Sequence, residues 1–532
     1  MEEPPLGGAG RNGLAAMSFI AALLVAASHA NAQSTWPQLA GHASRVAIGP
    51  SGPKALGLPS WVVSADQSGN AITFLGQSGP VVTRDHVLAI GSTGPANARV
   101  YKLVAIDRRK GHVTWTRTIA TPQLESFSTP AIDERNAVCI VATGSTVAAF
   151  DLSTGNPSWT AALVHPVVNA SIVIADDSPG RRRAFLTDYD GYGIDAHLYC
   201  INLDHPLPPL NPFEPGEIVW TAPIGGASGA SPACADGRVY VATVGEFGLT
   251  GGTIMCFDAL ATDTPQPIWT SSNPLDIGFF GGLCVSGDAV FAASYSFFGG
   301  TASSNLVKLS AKDGSPLWSV PCNRSASIPI PLPPKPGQSE PRVLLSGGLS
   351  GFGTRPTLQL FTDHDSHATL EWESSTATWI DANANGQMDP GEYLSIGGWS
   401  HQPVVSTIAG LRAFVGTLSS ASGSGTGTAC MTLTQIDLNT LPAPGGFVVS
   451  QAAACGSSPA IADANLYTIG AQGLYAFGPT PPQFDVDADG QVNIEDLYAW
   501  EQGWGQRDVD QNGQVEADDR DLLIAELRRD EW

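Results

Sequence analysis

Charge is scarce in this sequence. Charged residues are 14% of the 532, against roughly 25% in ordinary soluble proteins. Only 26 are Lys or Arg, against 49 Asp or Glu, so the formal charge is −23. Such a balance repels phosphate backbones, whose binding needs clustered Lys and Arg, and it excludes a nucleic-acid partner. Long apolar runs are missing too. No stretch reaches the roughly 18 apolar residues of a membrane-spanning helix, so no integral membrane segment is expected. Cysteine amounts to eight residues, Cys139, Cys200, Cys234, Cys256, Cys284, Cys322, Cys430 and Cys455. None are adjacent and none form C-x-x-C, which argues against a redox motif or a zinc ribbon. They read as buried thiols or structural disulfides, with connectivity open among roughly 105 full pairings. Neither H-E-x-x-H nor G-x-x-x-x-G-K-[ST] occurs, which removes the zinc-protease and P-loop readings.

What is abundant is Gly (59) and Pro (40), on a background that is 43% hydrophobic with 13 Trp. That mixture suits many short strands joined by turns, with enough apolar side chains for a core. At the N-terminus, Arg11 precedes the apolar run Phe19 to Ala27 and the A-x-A pattern Ala30-Asn31-Ala32. This reads as a signal peptide over residues 1–32, cleaved after Ala32, with Met17 as an alternative start. A secreted or periplasmic protein follows. No Cys lies near the cleavage site, so no lipid anchor is indicated.

Self-similarity organises residues 55 to 478. Each unit has a small-residue or Ser-Pro lead-in, two apolar strands, a strand ending aromatic/apolar-x-Asp, a Gly turn and a Trp. One copy is Ser128-Thr-Pro-Ala-Ile, Ala137-Val-Cys-Ile-Val-Ala, Val147-Ala-Ala-Phe-Asp151, Gly155 and Trp159. The closing residues run Trp115, Trp159, Trp220, Trp269, Trp318 and Trp372, with Phe447 in the equivalent slot. A unit of about four short strands cannot bury its own faces, so units must stack radially as propeller blades. Seven full units are followed by a partial one, Ser457 to Phe477, that lacks its last strand. Pro59-Ser-Trp61-Val-Val-Ser supplies it and closes the ring. The prediction is an all-β, eight-bladed β-propeller, with seven blades as the alternative count, carrying a small α-helical C-terminal module.

The aromatic-x-Asp…Gly…Trp pattern, the Ser-Pro-Ala lead-ins and Trp36-Pro-Gln-Leu-Ala-Gly41 resemble PQQ-like repeat propellers over most of residues 36–478. That superfamily includes quinoprotein dehydrogenases and the outer-membrane assembly lipoprotein. In the dehydrogenases the resemblance implies an axial quinone on adjacent cysteines, with calcium and a catalytic Asp. The positions expected to line the axis here are Ser128-Thr129, Asn169-Ala-Ser171, Ala230-Ser231, Gly281-Gly282, His401-Gln402 and Ser457-Ser458. They hold one His and no carboxylate, so no catalytic residue is assigned and PQQ is not expected. Asp363-His364-Asp365-Ser366-His367 and the Asp188, Asp190, Asp195 loop read as turns rather than metal sites.

Calcium is a hard cation needing about seven oxygens, which a 12-residue loop supplies from positions 1, 3, 5, 7, 9 and 12 around a Gly at 6. Three segments fit. The first offers Asp485, Asp487, Asp489, the carbonyl of Gln491, Asn493 and Asp496. The second offers Asp508, Asp510, Asn512, Gln514, Glu516 and Asp519. The third, between Trp372 and the next blade, offers Asp381, Asn383, Asn385, Gln387, Asp389 and Glu392. Val492 and Val515 can pair the first two loops. Leu497 and Trp500, then Leu522, Leu523 and Leu527, have helical spacing after them.

Tandem loops of this type, each followed by a helix, resemble dockerin modules. Pro479, Pro481 and Pro482 preclude an entering helix, as in that family. Positions 10 and 11, Ile494-Glu495 and Ala517-Asp518, are not the Ser/Thr pairs of type I cohesin recognition. The predicted organisation is a propeller over 36–478, a Pro-rich linker over 479–484 and a dockerin-like calcium module over 485–532. The expected function is non-enzymatic binding or scaffolding. Its partner is a protein on the propeller face or on the docking module, with a cohesin-like partner unproven. The alternative is an extracellular enzyme, a quinoprotein dehydrogenase or a polysaccharide-associated one, anchored by the tail.

Overall fold

The computed structural model describes residues 35–74, 78–123, 128–175, 181–191, 193–226, 228–245, 251–272, 278–294, 304–348, 355–377, 385, 396–418, 430–442, 447–454, 458–470, 472–479, 484, 486–487, 492–510 and 514–528. Residues 1–32, expected from the sequence to be a signal peptide, lie outside them.

Eight sheets form the ring, each built on four antiparallel strands counted outward from the axis, and two of them, blades 1 and 7, have a fifth strand, which in blade 1 is Thr73–Phe74. Blade 2 shows the plan: Ala131–Asp133, Val138–Thr143, Thr146–Asp151 and Pro157–Ala162. Blade 8 takes its three inner strands, Ala460–Ala462, Asn465–Gly470 and Gly473–Phe477, from the end of the repeat region. Its outer strand is Trp61–Val63, antiparallel to Gly473–Phe477 with Trp61 opposite Ala476. The sequence-based count of eight and the closing strand are both observed. Blade 7 gains an extra inner-edge strand, Ile48–Gly49, parallel to Val404–Ser406.

The core is divided among the spaces between blades. One cluster joins Ile140 and Ala149 of blade 2 to Ile174 and Leu186 of blade 3. The next joins Phe185 and Trp220 of blade 3 to Val239 and Phe257 of blade 4. This follows from each unit having two apolar faces and nothing inside itself to cover them.

The recurrent Trp and Gly of the repeat are two halves of one contact. The Trp269 indole, on the outer strand of blade 4, lies on the turn of blade 5, and its Nε1 donates to the Ala311 carbonyl at 3.1 Å. The turn residue beneath the ring is Gly314, at φ +72°, where a Cβ would lie 2.4 Å from the indole. Trp115 meets Leu152 and Gly155 of blade 2 in the same way, its Nε1 3.0 Å from the Leu152 carbonyl. Trp372 meets Phe447 edge-on, with centroids 5.4 Å apart.

The closing seam between blades 8 and 1 carries a buried charge. Arg108 pairs with Asp463 at 3.0 Å, and its Nε donates to the Tyr467 hydroxyl at 2.8 Å. The Trp61 indole donates to the Arg108 carbonyl at 3.0 Å. Removing one partner leaves a buried uncompensated charge. Arg108→Met is therefore expected to lower stability by about 3–5 kcal/mol in denaturant unfolding, with Asp463→Asn acting in the same direction. A loss below about 1 kcal/mol, the scale of an exposed pair, would show that the seam does not depend on this contact.

Candidate functional site

The axis is occupied by the chain itself. Residues 36–49 coil across it, using left-handed backbone at Ala40, Gly41, Arg45 and Ala47. Trp36 exchanges both backbone hydrogen bonds with Val82 of blade 1. The Pro37, Ala43, Ser44 and Ala47 carbonyls accept from Ile132, Cys234, Val285 and Val405, in blades 2, 4, 5 and 7. Arg45 is fully buried and donates to four carbonyls: Pro232 (3.0 Å), Leu39 (2.7 Å), Ser171 (2.9 Å) and Ile172 (2.8 Å). Burial lowers its guanidinium to about 9, which still leaves it cationic at neutral pH.

Ser128, Thr129, Ser171, Ser231 and Gln402, predicted to line the axis, bond between neighbouring inner strands, together with Ser78, which the sequence reading did not name; Ser457 lies outside the described residues. Ser78 Oγ donates to the Ser128 carbonyl at 3.0 Å, and Ser128 Oγ to the Ala170 carbonyl at 2.8 Å. Thr129 N–H donates to Ser171 Oγ, and Ser171 N–H to Ser231 Oγ, both at 2.9 Å. Gln402 exchanges bonds with the Ile328 backbone, accepting at 2.7 Å and donating at 3.2 Å. These side chains tie the inner-strand lead-ins of blades 1 to 4 to one another in order, and that of blade 6 to that of blade 7. His401 is buried beside Gln402.

The C-terminal segment forms two helices, Ile494–Gln502 and Ala517–Leu527, as the apolar spacing predicts. They pack over Phe484, Val486, Ala499, Trp500, Val509 and Leu523. Position 12 of both loops is fully buried and anchored identically. Asp496 accepts from the N–H groups of Val486 (2.6 Å), Asp487 (3.3 Å) and Asn493 (2.8 Å). Asp519 accepts from Val509 (2.7 Å), Asp510 (3.1 Å) and Glu516 (2.8 Å). Each carboxylate thus holds the first and last parts of its loop together. Asn493 also caps the first helix, accepting from Glu495 N–H at 2.7 Å, and Gly503 ends it at φ +82°.

In the second loop Asp508, Asp510 and Asp519 each offer a carboxylate oxygen, all within 4.8 Å of one another. Gln514 and Glu516 belong to the same loop and are exposed. This all-oxygen, anionic donor set fits a hard divalent cation. Val492 packs against the module's core while Val515 is half-exposed, and no strand bridge joins them among the described residues. Asp485, Asp489, Gln491 and Asn512 lie outside the described residues. So do Asp381, Asn383, Gln387, Asp389 and Glu392; of the third loop only Asn385, exposed, is described.

The module rests on blade 1. Arg84, in the turn after the inner strand Val81–Val82, pairs with Glu526 of the second helix, and its guanidinium lies 5.6 Å from the Phe484 ring centroid.

Six cysteines, Cys139, Cys200, Cys234, Cys256, Cys284 and Cys322, are buried thiols; the side chains of Cys430 and Cys455 lie outside the described residues. Burial raises Cys139, Cys200 and Cys284 well above the usual thiol range. His364 to His367 form a turn, as predicted. Asp190 likewise closes its own loop, accepting from Gly193 N–H at 3.0 Å and Asp195 N–H at 2.6 Å. Asp188, however, is fully buried between two histidines that sequence reasoning passed over. Arg45 was also missed, since a lone Arg in a Gly/Ala/Ser-rich segment carries no local signal of an axial role.

These features define a closed eight-bladed β-propeller with a plugged axis. The family model described as "Outer membrane protein assembly factor BamB" matches residues 54–203 and 213–320, the stretch that forms blades 1 to 5. Quinohemoprotein alcohol dehydrogenase from Comamonas testosteroni is similar at 14% identity, covering 90% of this chain and 86% of its own, with a TM-score of 0.51. A europium-containing methanol dehydrogenase matches at 11% identity over 85% and 90% of the two chains, TM-score 0.50. Sqt1 from Chaetomium thermophilum matches at 13% identity over 74% and 93%, TM-score 0.50. At these identities the likeness is one of fold. No curated protein sequence matches the chain.

Burial pushes the His401 imidazole down to about 4. The unfolded chain therefore takes up a proton near pH 6.5 that the folded protein refuses until about pH 4. The His401 contribution is fully present above about pH 6.5 and declines as pH falls toward about 4. His401→Gln is expected to flatten this limb of a stability-versus-pH curve, measured by urea unfolding between those limits.

Proposed function

We propose that this is an exported, calcium-binding propeller that works as a non-enzymatic binding scaffold, its C-terminal helix pair serving as a calcium-folded docking module. The convergence of Asp508, Asp510 and the buried, triply anchored Asp519 carries this reading. Three carboxylates in one small loop repel one another unless a cation lies among them, so ion binding and folding of the loop are coupled. The same anchoring of Asp496 supports an equivalent first site with Asp487 and Asn493. Asp485, Asp489, Gln491 and Asn512 complete the two sets on sequence spacing, and the loop at 381–392 is a third site on the same ground.

Exposed apolar side chains on the module support docking. Ile494 and Tyr498, four apart on one helix face, are 68% and 65% exposed, and Trp504 is 66% exposed. A partner with a complementary apolar surface fits these positions better than one that reads Ser/Thr pairs. The axial coil and the Ser/Thr belt favour binding over quinone chemistry, because they fill and tie the region where a quinone would lie. Export accords with the assembly-factor family that the repeats resemble. No helix among the described residues is long and apolar enough to cross a membrane.

Calcium titration of the full chain by calorimetry tests the core of this reading. Binding is expected at two or more sites, with Asp510→Asn and Asp487→Asn each weakening a different site by about tenfold or more. Absence of heat at millimolar calcium overturns the calcium reading. A tight stoichiometric complex with added quinone, seen by visible absorption, would replace the scaffold reading with the dehydrogenase one.

A further inference from the structure

Neighbouring strands in a blade alternate in direction. The connection from one blade's outer strand to the next blade's inner strand therefore emerges on the same face as the turn between second and third strands. Between blades 2 and 3 these two segments are locked together. The first contains His165; the second begins at Asp188, after Arg183–Thr187, and ends at His197, which starts His197–Asn202. Tyr189 N–H donates to the Pro166 carbonyl at 2.9 Å, and Val164 N–H to the Tyr199 hydroxyl at 2.9 Å.

Asp188 sits at the floor of this junction. Its Oδ1 accepts from His197 N–H at 2.6 Å, and its Oδ2 from the Tyr199 hydroxyl at 2.7 Å and His165 N–H at 3.2 Å. Above the carboxylate stand two imidazoles, stacked with centroids 5.7 Å apart. His197 Nδ1 is 3.3 Å from Asp188 Oδ2, and His165 Nε2 is 3.1 Å from Asp195 Oδ2. His165, Asp188 and His197 each offer one ligand atom, all within 4.8 Å of one another.

We propose that His165, Asp188 and His197 form a binding site for a divalent transition-metal ion of the zinc class, with Asp195 as a fourth ligand. Two nitrogen donors and a carboxylate are the donor set such ions prefer, whereas calcium and magnesium prefer oxygen alone. Bonds of about 2.0–2.1 Å in a tetrahedral site require donors about 3.3–3.5 Å apart. The His197–Asp188 separation of 3.3 Å already meets this. The surrounding shell is built before any ion arrives, since two backbone N–H groups and a phenol orient the carboxylate. Access is graded: Asp188 is fully buried, His197 and His165 are 16% and 27% exposed, and Asp195 is 74% exposed at the mouth. The bound ion would clip the blade 2–3 connection to the turn of blade 3, and it owes nothing to the calcium loops.

The test uses the full chain, stripped with chelator and then held in millimolar calcium so that all-oxygen loops are filled. Co2+ is added and followed by visible absorption, then displaced with Zn2+ and followed by calorimetry. One equivalent is expected, with the absorption of a low-coordinate site. His165→Ala and His197→Ala should each weaken Zn2+ binding by about tenfold or more. His367→Ala, in the separate His364–His367 pair, should leave it unchanged. A second readout needs no variant: Zn2+ should protect His165 and His197 from diethyl pyrocarbonate, read by peptide mass spectrometry. No binding at about a hundred micromolar Zn2+, binding that survives both His substitutions, or absence of protection would reduce the cluster to two ordinary His–Asp pairs and overturn the proposal.

Discussion

A four-stranded blade has two apolar faces and no means of covering either, and the rest of this molecule follows from that deficit. The large hydrophobic clusters of the ring are shared by neighbours, so a blade depends on the one before and the one after. The Trp-on-Gly contact is the directional part of the arrangement. An indole on one outer strand needs a flat, side-chain-free turn on the next blade, and its N–H needs a carbonyl there. Both needs are met at Trp115 and Trp269. A chain of such dependencies has two exposed ends unless it closes. Trp61–Val63 closes it, and Arg108 with Asp463 and Tyr467 holds the seam.

Closure leaves a second problem at the axis, where the inner strands converge with unpaired backbone groups. The protein meets it with residues 36–49 and with the Ser/Thr belt. One buried cation, Arg45, accepts the electrostatic penalty of burial because its donors gather carbonyls from the plug and from blades 3 and 4. Among the described residues, clustered metal-type ligand chemistry lies at a face of the ring and in the tail. It divides by ligand hardness. Carboxylate loops of the C-terminal module suit a hard ion, and the imidazole pair over Asp188 suits a softer one.

The fold was legible in the sequence because its causes are local and repeated. The alternation of apolar residues, the Gly turn and the Trp recur at a regular spacing, and Pro59 to Ser64 visibly supplies what the last unit lacks. Two helices after two loops were legible for the same reason, from Leu497, Trp500, Leu522 and Leu523. The lead-in residues were placed correctly at the axis, but what they do there was not. A serine's small size is written in the sequence, whereas its hydrogen bond to the next blade is not.

The sequence by itself therefore determined the repeat and the acidic loops, since each rests on residues close together in the chain, and it pointed to eight blades because the last unit visibly lacks the strand that Trp61–Val63 supplies. Only the tertiary structure decided that Arg45 pins the axis across more than a hundred residues to Ser171 and Pro232. It alone set Arg84 against Glu526, and gathered His165, Asp188 and His197 at one junction. The physical reason is common to all three. A buried charge or a ligand set is satisfied by whatever groups the packed blades bring near it, and those groups share no spacing along the chain.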